Sequence, residues 1–140
     1  MLCQKEIVAK LNNNDLFNFV VIDVFHRCST SFPVEADFTA EEVADVVSAS
    51  TESNIDQSQL IDVIWSSVNW LVREGFLADR GISNSGFSVT FTHMGLNATN
   101  NIPSCISGKA SFKDIFLGGL STISTAVVTN VVTEFFKNGS

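Results

Sequence analysis

Residues Asp56 to Phe91 read DQSQLIDVIWSSVNWLVREGFLADRGISNSGFSVTF, and the architecture of the chain turns on them. Asp56 stands at an N-cap position with Gln59 three residues on, a variant of the capping box in which each side chain satisfies an orphan backbone N–H. Leu60, Ile61, Ile64, Val68, Leu71 and Val72 then recur at spacings of three and four, which predicts a helix with one apolar face. Gln59, Asp62, Ser66, Asn69 and Arg73 fall on the opposite, outward face. Gly75 follows Glu74 and suits the left-handed residue that ends a helix. Phe76-Leu77-Ala78 predicts a short strand, and the polar run Asp79 to Gly86 a turn. Phe87, Val89 and Phe91 alternate with Ser88 and Thr90, the period of a half-buried strand. Thr92 is placed to cap a last short helix over His93-Met94-Gly95-Leu96.

Working outward, Cys3, Ile7, Val8 and Leu11 lie on one side of a short N-terminal helix that the Asn12-Asn13-Asn14 run is expected to end. Asp15 to Arg27 predicts a second helix. Leu16, Phe17, Phe19, Val20, Val21, Ile22, Val24 and Phe25 make it apolar nearly all round, with Asp23 the main exception. Such a helix belongs at the centre of a core. Ser29 to Pro33 reads as a break. Thr39 with Glu42 is a capping box opening a helix with Val43, Val46 and Val47 inward.

The chain from about residue 14 to 98 resembles the winged-helix superfamily. Val68-Asn69-Trp70-Leu71-Val72-Arg73-Glu74-Gly75-Phe76 is similar to the end of that fold's third helix entering its first wing strand. Phe87 to Thr92, followed by His93-Met94-Gly95-Leu96, is similar to the returning strand and the helix after it. The fold expected is therefore α+β, mainly α: a winged-helix-like body of helices and a β-hairpin wing over residues 1–100, with a C-terminal apolar helical arm over residues 101–140. In the arm, Phe112, Phe116, Leu120, Ile123, Val127 and Val131 form one continuous helical side, the candidate for docking or oligomerisation.

Composition narrows the function. The chain has 140 residues, 45% hydrophobic and 16% charged, with net charge −7. Residues 1–100 carry five Lys or Arg against thirteen Asp or Glu, whereas residues 101–140 carry three against two. The body is therefore acidic and repels nucleic-acid phosphates. Cys3, Cys28 and Cys105 are widely spread and odd in number, which points to reduced thiols rather than disulfides. Lys5 and Glu6 interrupt any N-terminal apolar run, so the location expected is cytoplasmic.

No nucleophile elbow, phosphate-binding loop or metal-ligand spacing occurs. His26 and Cys28 are two residues apart in a helix and diverge. Neither catalysis, cofactor nor metal is expected. The functional expectation is a non-catalytic binding protein working through protein–protein contact, of the antitoxin or immunity type, whose acidic surface masks a basic partner. Its candidate partner-binding residues are Gln59, Asp62, Val63, Ser66, Asn69, Trp70, Arg73 and Arg80. Trp70 and Val63 sit seven residues apart, off the core stripe; they suit either an interface or cover by the N-terminal helix or the tail. One alternative is a DNA-binding transcription regulator that forms a homodimer through the arm, with Gln59, Ser66, Asn69 and Arg73 toward the major groove. Its cations on that side are only Arg73 and Arg80. A third is a membrane-associated protein held by the uncharged run Ile115 to Thr133, although Asn130 and the threonines make that run a poor span.

Overall fold

The helix α1, Asn13–Ser31, runs through the middle of the protein. In the computed structural model, which describes residues 11–51, 54–103 and 110–139, it is followed by β1 (Ala36–Phe38), α2 (Ala40–Ser50), α3 (Gln57–Arg73), β2 (Leu77–Asp79), β3 (Phe87–Phe91), α4 (His93–Ala98), α5 (Phe112–Gly118), a 3-10 turn at Leu120–Thr122 and α6 (Thr125–Gly139). The fold class is α+β, mainly α. The strands form one antiparallel sheet in the order β1-β3-β2, with Ala36 opposite Val89 and Leu77 opposite Phe91.

Local chemistry accounts for most element ends. Thr39 and Glu42 make the reciprocal capping box of α2, and Thr92 caps α4 by accepting from the Gly95 N–H. Gly75 takes φ +89° after α3, a conformation that glycine adopts at low cost. Two expectations need correction here. The asparagine run also starts α1: Asn12 is its N-cap, paired with Asp15 in a capping box, so the helix begins two residues before the expected Asp15. At α3 the box is only half made, since Asp56 accepts from the Ser58 and Gln59 N–H groups while the Gln59 side chain donates to Asn13 Oδ1 instead. The N-terminal helix expected over Cys3, Ile7 and Val8 lies outside the described residues, as does Cys105.

The stretch Ser29 to Pro33 is a break only at its end. α1 continues to Ser31, and a cis Phe32-Pro33 bond leads into β1. That strand has three residues, too few to show a period, and it completes the sheet by pairing with β3.

The arm is corrected as well. Among the described residues it is two helices separated by a turn, not one helical side. Gly118, Gly119 and the neighbouring serine and threonines weaken helix propensity, and Gly119 adopts φ +75°. Phe112, Phe116 and Leu120 remain buried, as does Val131. Beyond the turn the phase shifts, so the inward side of α6 is Val128, Val131, Val132 and Phe135. Ile123 and Val127 are only partly buried at the edge of the core.

The arm's aromatic side chains join those of the body. Phe135 lies 5.2 Å from Phe25, 5.7 Å from Phe76, 5.2 Å from Phe112 and 5.3 Å from Phe116, centroid to centroid. Phe25 also meets Phe91 at 5.3 Å and Phe116 at 5.1 Å. Burying each such ring contributes roughly 1.5–3 kcal/mol, with about 0.5–1.5 kcal/mol more per favourable ring pair. Among the described residues no helix is long and apolar enough to cross a membrane.

Two measurements check this packing. Phe135→Ala should destabilise the protein by about 3–5 kcal/mol and Ile64→Ala by about 2–5, whereas Asn69→Ala on the exposed side of α3 should change stability by less than about 0.5 in urea melts. A chain ending at Ser104 should melt earlier and bind a hydrophobic dye, because the Phe25 and Phe76 rings lose their cover. A truncated chain of unchanged stability would show that the arm contributes nothing to the core.

Candidate functional site

Two concave regions flank α1. The first is a groove of about 720 Å³ between the first turns of α1 and the outer side of α3. Gln59, Asp62, Val63, Ser66 and Trp70, all expected from the sequence, line it together with Asn13, Phe17, Asp56, Ser58 and Ser67. Asn69 and Arg73 are exposed farther along α3, outside the groove, and Arg80 is exposed in the loop after β2. The helical spacing thus brings five of the eight candidates together, and tertiary packing leaves three outside.

The groove has an apolar floor and an acidic rim. Val63 is 9% exposed and belongs to the core. Trp70 is half-buried: its indole meets Phe17 edge-on at 5.5 Å and Phe136 edge-on at 5.3 Å. Both α1 and the arm therefore cover part of the tryptophan, and its remaining surface faces the groove. Gln59 bridges the two walls through its 2.7 Å bond to Asn13. Asp56 and Asp62 are exposed, and among the described residues no Lys or Arg lines the groove. An apolar floor attracts aliphatic or aromatic groups, and the carboxylates favour a partner carrying positive charge.

The second region is a cleft of about 810 Å³ bounded by α1, β1, the end of α2 and the 3-10 turn of the arm. Asp23, His26 and Arg27 project into it from α1. Asp23 is 2% exposed, and Arg27 Nε donates to its Oδ2 at 2.8 Å. The same guanidinium reaches the Glu42 carbonyl at 3.4 Å and lies 5.5 Å above the Phe38 ring. Burial raises the Asp23 pKa above its ordinary 3.8; the hydrogen bond and charge of Arg27 oppose this, as does the His26 charge.

His26 is held by the arm. Its Nδ1 lies 3.0 Å from the Phe116 carbonyl oxygen. A carbonyl only accepts, so Nδ1 carries the hydrogen in this bond. Gly119 packs on the same ring: a Cβ there would stand 3.0 Å from His26 Nδ1, and its φ of +75° is a second reason for glycine.

The sequence reading passed over this cleft. Its signal was there in Asp23, the charged exception in an apolar helix, three residues before His26 and four before Arg27. What could not be read was that the glycine pair of the arm returns to sit against them. Cys28, by contrast, is buried with its thiol pushed up to about 12 by desolvation, which makes it a small core residue without nucleophilic character at neutral pH.

The raised Asp23 pKa has a definite sign in stability. The folded chain holds that proton more tightly than the unfolded chain, so the ionised carboxylate is a cost that is absent below the ordinary carboxylate range. The cost becomes complete once pH exceeds the raised folded value. Asp23→Asn keeps an acceptor for Arg27 and removes the titration. Its stability relative to the native protein should therefore rise between about pH 3 and about pH 7 in urea melts. A difference that stays flat, or falls, would mean that the Arg27 pair outweighs desolvation.

No protein-family model matches the chain, and neither the curated proteins nor the solved structures compared with it give a match.

Proposed function

We propose that this protein is a non-catalytic binding module, a winged-helix-like body whose α1–α3 groove takes a positively charged, partly apolar segment of another protein. The order of α2, α3, β2 and β3, two helices entering a hairpin, supports the winged-helix part of this reading. One observation carries the binding part: Phe17, Val63 and Trp70 floor a groove whose rim bears Asp56 and Asp62 and, among the described residues, no cation. A half-buried tryptophan at the base of a groove is the type of anchor that dominates protein interfaces. The carboxylates add electrostatic steering, which accelerates association with a basic partner. An antitoxin or immunity-type inhibitor that masks a nucleic-acid-handling protein fits this charge pattern and a cytoplasmic setting.

Transcriptional regulation is the second reading, supported by Ser66, Asn69 and Arg73 on the exposed side of α3. Charge counts against it. Non-specific duplex binding depends on several Lys or Arg contacts to phosphate, and the α3 surface supplies one exposed arginine.

Affinity capture from the native cell, followed by mass spectrometry, should recover a basic protein. Asp62→Lys should then weaken that complex by about tenfold or more. Ser66→Trp, which fills the groove from an exposed position, should do the same. Gel shift on duplex DNA at about physiological salt should show binding weaker than about 10⁻⁴ M. Micromolar duplex binding with a steep salt slope, together with a complex indifferent to both substitutions, would replace this reading with the regulator.

A further inference from the structure

We propose that the cleft between α1, α2 and the arm is a binding site for a small alkylammonium group, a protonated primary amine on a short aliphatic chain. Its volume of about 810 Å³ falls within the range of roughly 300–1,000 Å³ usual for small-molecule sites. The site lies outside the α3 groove and does not depend on what that groove binds.

The polar groups of the cleft are matched to a donor. Among the described residues Arg27 is the one partner of the Asp23 carboxylate, and it uses Oδ2. Asp23, 2% exposed, lines the cleft, and its Oδ1 takes no hydrogen bond from Arg27. Asp37 adds an exposed carboxylate to the lining. Two carboxylates thus face one guanidinium, and that guanidinium is already engaged by Asp23, the Glu42 carbonyl and the Phe38 ring. Among the described residues Asp23 and Asp37 give the lining a preference for a cation over a carboxylate or phosphate. An ammonium carries three donors and no acceptor, the complement of this set.

The apolar part of the lining suits the aliphatic chain. Val46 and Ala49 stand on the α2 side, and Leu120 and Ile123 on the arm side. Only the close approach of Gly119 to the His26 ring lets the arm form that wall. Neither half of the chain builds the cleft alone.

The test is titration of the full-length protein with n-butylammonium, followed by calorimetry and by amide chemical shifts. Butyrate and 1-butanol serve as size-matched controls. The expected result is saturable binding with a dissociation constant of about 1 mM or tighter, with shifts at His26, Gly118 and Gly119. Both controls should bind at least about tenfold more weakly. Asp23→Asn should weaken butylammonium by about tenfold or more while retaining the bond from Arg27. If that variant fails to fold, Ala49→Trp serves, since Ala49 is exposed and a large ring there obstructs the cleft without removing a core contact. Nα-acetyl-lysine amide distinguishes the source of the amine: binding as tight as butylammonium points to a lysine side chain presented by a protein, and much weaker binding to a free amine. Butyrate binding as well as butylammonium would overturn the proposal. So would shifts confined to Asp56 and Asp62, no saturation below about 10 mM, or indifference to the Asp23 and Ala49 substitutions.

Discussion

A helix that is apolar on nearly every side must be covered on nearly every side, and α1 imposes that requirement on the rest of the chain. Leu16, Val20, Val21, Ile22, Val24 and Phe25 are all fully buried, although they point in different directions around the helix axis. No single neighbour can reach them all. α2 and α3 take one part of the circumference, the sheet another, and α5 with α6 the remainder. The arm is therefore part of the core.

The same requirement explains where the two concavities occur. Neighbours arranged around one cylinder leave grooves between them, and the chemistry of each groove follows from what α1 shows there. At its first turns α1 shows Asn13 and Phe17, and with α3 opposite the result is an apolar floor with carboxylates along the edge. In its later turns it shows Asp23, His26 and Arg27, and the result is a polar cleft. One helix thus lines two concavities of different chemistry.

Asp23 is the point at which stability and site chemistry meet. A carboxylate at 2% exposure is costly in an apolar helix, and Arg27 offsets part of that cost at the price of holding a guanidinium in place. Apolar residues of similar volume would pack there more cheaply. The retained pair also anchors Arg27 over Phe38 and toward the Glu42 carbonyl, so one interaction ties α1 to α2 and β1.

Periodicity and capping made several elements legible in the sequence. Leu60, Ile64, Val68 and Leu71 share a face because a helix repeats every 3.6 residues, and Phe87, Val89 and Phe91 share one because a strand repeats every two. Thr39 with Glu42, Thr92 and Gly75 mark element ends through local hydrogen bonds and backbone sterics. These signals act within a few residues, so the amino-acid order contains them. Gln59, Asp62, Ser66 and Trp70 were found as neighbours for the same reason. Other features depended on contacts between distant segments. β1 is a strand because β3 lies beside it, and three residues alone have no detectable period. The change of phase between Leu120 and Val128 depends on how the arm turns at Gly119 to meet His26. The polar cleft needs residues about ninety positions apart, and Phe17 enters the groove only because α1 packs against α3. Local order determined which residues could share a face; only burial around α1 decided which faces would meet.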